Sequence, residues 1–252
     1  MAEYLNSSHT NVTFTEHEAL QSIPDVIDCV ESWDTTTIRA SVGQYLLSKY
    51  IATKTDCKVI MVGETSDEIL SGYATNYYCQ DHNLLHKAAH QYVKEVHMFD
   101  CRRVDRCVSH FGLEARVPYA DPEFAIAAWS IPSEWRMPSY KGIEKYCLRK
   151  AFSDILPKEI LWRKKEAMSD GISSIEKSWF TIIQEHIKET YNMTERDFYK
   201  SRFMESYGNV FTQVIPHYWQ PLFRSKNDNT DEYIDPSARV LDIYGVALDI
   251  AE

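Results

Sequence analysis

A chain of 252 residues is long enough for one substantial α/β domain with a buried core. Its formal charge of -10, from 37 acids against 27 Lys and Arg, gives no basic field for DNA or RNA, although a phosphorylated small molecule needs only a local basic patch. No run of about 18 apolar residues and no basic start followed by an apolar stretch is seen, so no membrane role is expected and the chain reads as cytoplasmic.

Residues 12–15, VTFT, read as a short strand, and HEALQSIPDVIDCVESWD after them as a helix interrupted near Pro24. A second helix fits 35–52, where Ile38, Val42, Tyr45, Leu46 and Ile51 make an apolar stripe and Asp34 or Thr35 caps the start. KVIMVG, 58–63, is β-branched and too short for a helix, and reads as a buried strand. Helix, strand and renewed helix are the rhythm of a parallel sheet. Further helices are expected over 84–107, 124–132, 142–152, 174–190 and 195–207, with residues 154–171 passing from a helical turn into a loop. From about 224 the composition turns polar. The expected division is therefore 1–223 as one domain and 224–252 as a tail.

Three stretches carry candidate chemistry. In GETSDE, 63–68, Gly63 releases the chain from the strand and Glu64, Asp67 and Glu68 crowd its carboxyl end, where ligands collect in open parallel sheets. Acids at a helix start also stabilise it by roughly 0.3–1 kcal/mol, so capping is the plain alternative. In WRKKEAMSDG, 162–171, Lys165 is either a phosphate-holding cation or part of a solvated face. In GLEARVPYADPEF, 112–124, Glu114 and Arg116 precede a Pro-fixed loop containing Asp121, and Arg116 either recognises a carboxylate or belongs to an ion pair that holds the loop. His82, His86 and His90 share a helical face, but i to i+8 spans roughly 12 Å, too far for one ion. The six cysteines lack metal-site spacing and read as reduced small hydrophobes.

Together with DTTTIRASVGQYLLSKY at 34–50, these stretches occur in the order found in one family. The chain resembles the carboxy-terminal synthetase domain of glutamine-dependent asparagine synthetases of the eukaryotic type, on TTIRAS, GETSDE against the family's GEGSDE, LEARVP, GIEKYCLRKAF and LWRKKEAMSDG. The resemblance implies a partial parallel-sheet, ATP-pyrophosphatase-like α/β domain (adenine nucleotide alpha hydrolase-like) with a large helical portion. It also implies ATP-dependent amidation of aspartate through a β-aspartyl adenylate, with ATP and Mg2+ as the nucleotide and metal. By position in the family's motifs, Glu64 serves the ammonia step, Asp67 the magnesium site, Lys165 and Arg39 the phosphates, Thr36 and Thr37 the nucleotide side, Glu68 the pocket wall and Arg116 its aspartate end. No stretch resembles the family's SGGLDSS phosphate loop or its glutaminase domain, so ammonia is expected from a domain not in this chain. The isolated chain is expected to be inactive. Completion by a partner chain, or a non-catalytic domain that binds a nucleotide, an amino acid or a full-length homologue, are the alternatives. Thr65 stands where the family has glycine, a poor occupant if that position requires a positive φ.

Overall fold

The computed structural model of the chain describes residues 1–174, 176–208 and 219–223. The expected tail, 224–252, lies outside the described residues. The described chain is mostly helical around one small sheet. Its helices in chain order are α1 (Ala2–Leu5), α2 (Glu16–Gln21), α3 (Ile23–Val30) and α4 (Thr35–Lys54); after strand β1 (Val59–Met61) come α5 (Ser66–Ile69), α6 (His82–Glu95) and α7 (Asp100–Ser109). Strand β2 (Glu114–Arg116) follows, then α8 (Pro122–Ser130), α9 (Ser133–Arg136), α10 (Tyr146–Ala151), α11 (Lys158–Leu161), α12 (Met168–Gly171), α13 (Trp179–Tyr191) and α14 (Glu195–Tyr207).

The centre of the fold is α4. Asp34 caps it by accepting the Thr37 N–H at 2.7 Å, as its position before the TTTIRAS run predicts. Eleven of its residues are buried, on every side, because α3 and α7 pack against it on one flank and α12 and α14 on another. Ile38 and Val42 join Ile27 and Val30 of α3, Ile183 and Ile187 of α13, and Tyr199 and Phe203 of α14 in the main core. An all-round buried helix is not amphipathic, which is why the stripe read from 35–52 understated its burial.

β1 and β2 pair in parallel, with Ile60 opposite Ala115. The parallel-sheet expectation is met by these two strands. Two details of the reading are corrected. VTFT is not a strand: Thr15 closes a capping box with Glu18 and starts α2, its N–H donating to the Glu18 carboxylate. β1 is not buried: Val59 and Met61 are 53% and 74% exposed, while Ile60 and Val62 pack on Val104, Val108 and Leu113. One face of the sheet is covered and the other is open. The helix expected after GETSDE is a single turn, α5, and that expected over 84–107 breaks between α6 and α7.

The histidine ladder on α6 is a packing feature. His86 Nδ1 accepts from Arg136 Nη2 at 2.8 Å, which places the ring proton on Nε2, facing His90 Nε2 at 3.3 Å, and the His90 ring lies 3.9 Å from that of Trp129. The six cysteines are all unpaired.

Candidate active-site cleft

β1 ends at Met61, and Gly63 turns the chain into the acidic stretch. Thr65, before α5, has φ +70°, a left-handed conformation that a β-branched residue adopts only under strain. It is also 3% exposed, with a hydroxyl that finds no partner. The concern raised by the sequence is therefore real. Replacing Thr65 with glycine should stabilise the fold by about 1 kcal/mol, since relief of left-handed strain exceeds the added chain entropy. Urea unfolding checks this, and an unchanged or lower midpoint would refute it.

The tight turn carries Glu64, Asp67 and Glu68 into one cleft of about 340 Å3, with Thr36, Thr37 and Arg39 of α4 on one wall and Lys165 on another. Asp67 sits between two ammonium groups: Lys165 Nζ lies 3.0 Å from Oδ2 and Lys145 Nζ 2.6 Å from Oδ1. Burial opposes its ionisation, but the two lysines outweigh burial and hold its carboxyl well below the usual carboxylate range. The same carboxylate raises Lys165 against the opposing effect of burial. Lys145 also donates to Ser66 Oγ at 3.3 Å and has a positive φ of 55°. Gly72 makes the approach possible, because a Cβ there would fall 2.0 Å from Asp67 Oδ1. Two cations around one anion leave the triad net positive, an arrangement that attracts an oxyanion.

Deeper in the wall a second network fixes Glu64. Its Oε1 accepts from Gln44 Nε2 at 3.0 Å and lies 3.6 Å from Arg103 Nη1. Arg103 Nη2 donates to Asp100 Oδ1 at 3.0 Å, and the Tyr73 hydroxyl to Asp100 Oδ2 at 2.8 Å. Glu68, 3% exposed, is pushed well above the usual range by burial and by the charges of Asp100 and Asp67. In this carboxyl pair Glu68 holds a proton more tightly than Asp100 does. Burial also works against Asp100, but Arg103 and the Glu68 hydrogen bond keep it ionised.

The remaining candidates divide. Thr37 donates its hydroxyl to Asp34 Oδ2 at 2.7 Å, whereas the Thr36 hydroxyl is buried without a partner. Arg39 borders the cleft, but its guanidinium is held by Glu195 of α14, with Nε to Oε1 at 2.8 Å and Nη2 to Oε2 at 2.5 Å. Arg116 is not among the cleft residues; it is 63% exposed and pairs with Glu114 at 2.7 Å. Of the three cations in WRKKEA, Lys165 turns inward and Arg163 and Lys164 outward. Sequence reasoning passed over Lys145 and Glu195. Lys145 lies inside the GIEKYCLRKAF stretch that carried the resemblance; nothing local marks Glu195.

The fold and cleft define an α/β domain in which one of the acids after the strand, Asp67, is held between two lysines. The model of the asparagine synthase family matches residues 1–85 and 77–209. The chain is 40% identical to asparagine synthetase [glutamine-hydrolyzing] of Gallus gallus over 98% of its own length and 46% of that protein. Against the proteins of the same name from Homo sapiens and Mus musculus the identities are 37% and 38%, over 98% and 97% of this chain and 46% and 45% of theirs. The chain belongs to the asparagine synthase family. It spans about half the length of the curated relatives it matches.

Proposed function

We propose that this chain is the synthetase-side part of an asparagine synthetase, with an ATP-pyrophosphatase-like fold, and that its cleft receives the phosphates of ATP during amidation of aspartate. The observation that carries the reading is the position of Asp67, which organises Lys145 and Lys165 into a net positive pair beside the fixed carboxylate of Glu64. Departing pyrophosphate gains most from cations preorganised at the leaving group, and two lysines supply them despite the acidic composition of the chain. Glu64, oriented by Gln44 and Arg103, is the group for the ammonia step. Thr36, with its unpartnered hydroxyl, faces the nucleotide side. Arg39 shapes this wall through its pair with Glu195, and Arg116 takes no part in the site as it stands.

Magnesium fits the donor set in a limited way. Among the described residues no three metal-ligating side chains converge, but Mg2+ keeps several waters and binds through one or two carboxylates plus phosphate oxygens. Asp67 would hold it, and the ion would neutralise phosphate charge. Both Asp67 oxygens are faced by lysines, so holding the ion there would require at least one lysine to turn away. Aspartate is the proposed acceptor and ammonia comes from a glutaminase domain elsewhere, in the cytoplasm.

Titration of the isolated chain with Mg2+-pyrophosphate and Mg2+-ATP tests this reading. Lys165→Ala should weaken both by about 10- to 100-fold, the worth of a charge-assisted hydrogen bond. No binding by the intact chain, or equal binding by the variant, would refute it. Aspartate-driven ATP–pyrophosphate exchange should be absent from the isolated chain, and robust exchange would overturn that part.

A further inference from the structure

Arg103 is a buried guanidinium short of acceptors. It is 6% exposed, and its one ordinary hydrogen bond among the described residues runs from Nη2 to Asp100 Oδ1. Nη1 stands 3.5 Å from Gln44 Oε1 and 3.6 Å from Glu64 Oε1, beyond the roughly 2.7–3.2 Å of a good N–H···O bond. The sulfur of Met168, a weak acceptor, lies 3.6 Å from the same nitrogen. Nε is buried and finds no partner among the described residues. Donors buried in this state are costly, so an acceptor brought within reach would be taken. Met168 opens α12, which packs on α4, and is 47% exposed. It lines the acidic cleft and also an apolar cavity of about 440 Å3. The residue is therefore open to a small solute while its sulfur touches a buried cation.

We propose that Met168 is a site of reversible oxidation by a peroxide and that its sulfoxide captures Arg103. One peroxide oxygen passes to Sδ: the O–O bond breaks, an S–O bond forms, the sulfur gives up two electrons, and the peroxide is reduced to water or an alcohol. Oxidation turns a flexible apolar side chain into a polar, chiral one, and a reductase reverses it. Carried on an atom already 3.6 Å from Nη1, the new oxygen comes within ordinary hydrogen-bond range in one of the two epimers. Nη1 holds Gln44 and Glu64 only at long range, so it exchanges them for the shorter bond, while Nη2 stays on Asp100. Glu64 then keeps Gln44 and loses the cation that helps to orient it. What this loosening means for the ammonia step rests on the synthetase reading; the oxidation and the capture do not.

The test treats the intact 252-residue chain with hydrogen peroxide, maps the oxidised methionines by mass spectrometry of its peptides, and follows the Arg103 guanidinium protons by nuclear magnetic resonance. Met168 should gain one oxygen, as should the more exposed Met61, which serves as the internal control for reagent. The Arg103 Nη protons should then exchange with solvent at least tenfold more slowly than in the untreated chain. A methionine sulfoxide reductase should restore the original rate. Met168→Leu keeps the volume and removes the sulfur, so the treated variant should show no slowing even though its Met61 is oxidised. The proposal is overturned if Met168 stays unmodified while Met61 reacts, if Met168 is oxidised and Arg103 exchanges as fast as before or faster, or if treated Met168→Leu slows equally. Pyrophosphate binding by the untreated chain is a separate measurement, so loss of the functional reading and loss of this site are told apart.

Discussion

Replacing Glu195 with alanine should cost the fold about 3–5 kcal/mol, because it removes the carboxylate that holds a buried guanidinium by two parallel bonds. Arg39 is 3% exposed and held by two parallel bonds to Glu195, whose Oε1 also accepts the Tyr199 hydroxyl at 2.9 Å; the Phe180 ring lies 5.3 Å from the guanidinium carbon. A lysine in this place could shed its proton, but arginine keeps its charge at any relevant pH. The penalty therefore remains as desolvated charge. The double variant Arg39→Met, Glu195→Leu should recover most of the loss, since apolar groups of similar volume replace a buried pair at little cost. Urea midpoints of wild type, the single variants and the double variant decide the matter, and a loss below about 1 kcal/mol for Glu195→Ala would refute the buried-charge account. If pyrophosphate binds more tightly to the Glu195→Ala protein, Arg39 has been released toward the cleft.

Local patterns in the sequence were enough to find the elements that hold the site. The capped start of α4, the strand-to-turn break at Gly63 and the span of α14 all follow from spacing and caps read over a few residues. Contacts that depend on tertiary placement were not legible. Glu195 meets Arg39 across 156 positions, and no periodicity links them. Lys145 reaches Asp67 only because its own backbone takes a left-handed turn and Gly72 leaves room. Asp100 and Arg103, three apart on one helix, form a pair, yet the same arginine touches Glu64, which their spacing does not reveal. Arg116 fails for a simpler reason. Residues 114 and 116 are two apart on a strand, so both side chains project from the same face, here the open one, and they pair with each other. VTFT has β-forming composition, but the Thr15 and Glu18 box claims its end for a helix.

The neighbouring acids Asp67 and Glu68 should tilt the pH dependence of stability in opposite directions. Asp67 is depressed in the folded state, so as pH falls below about 4 the unfolded chain takes up a proton that the folded chain refuses, and stability declines. Its contribution is fully present above that pH. Glu68 is raised, so its contribution is complete below about 4.3 and declines as pH rises toward its folded value, where the folded state holds a proton that the unfolded chain has released. Asp67→Asn should flatten the acid limb and cost roughly 2–3 kcal/mol at neutral pH, somewhat less than for a fully buried pair, by leaving Lys145 and Lys165 facing each other without an anion. Glu68→Gln keeps a hydrogen-bond donor toward Asp100 at every pH. It should flatten the decline above pH 4.3 and leave the protein more stable than wild type at neutral pH, while the acid limb set by Asp67 persists. Chemical unfolding from pH 3 to 8 separates the two, because Glu68→Gln should change only the decline above pH 4.3, whereas Asp67→Asn should flatten the acid limb and, by removing one of the charges that raise Glu68, also lessen that decline; equal slopes above pH 5 in wild type and Glu68→Gln would mean that Glu68 is ionised and that the carboxyl pair does not share a proton.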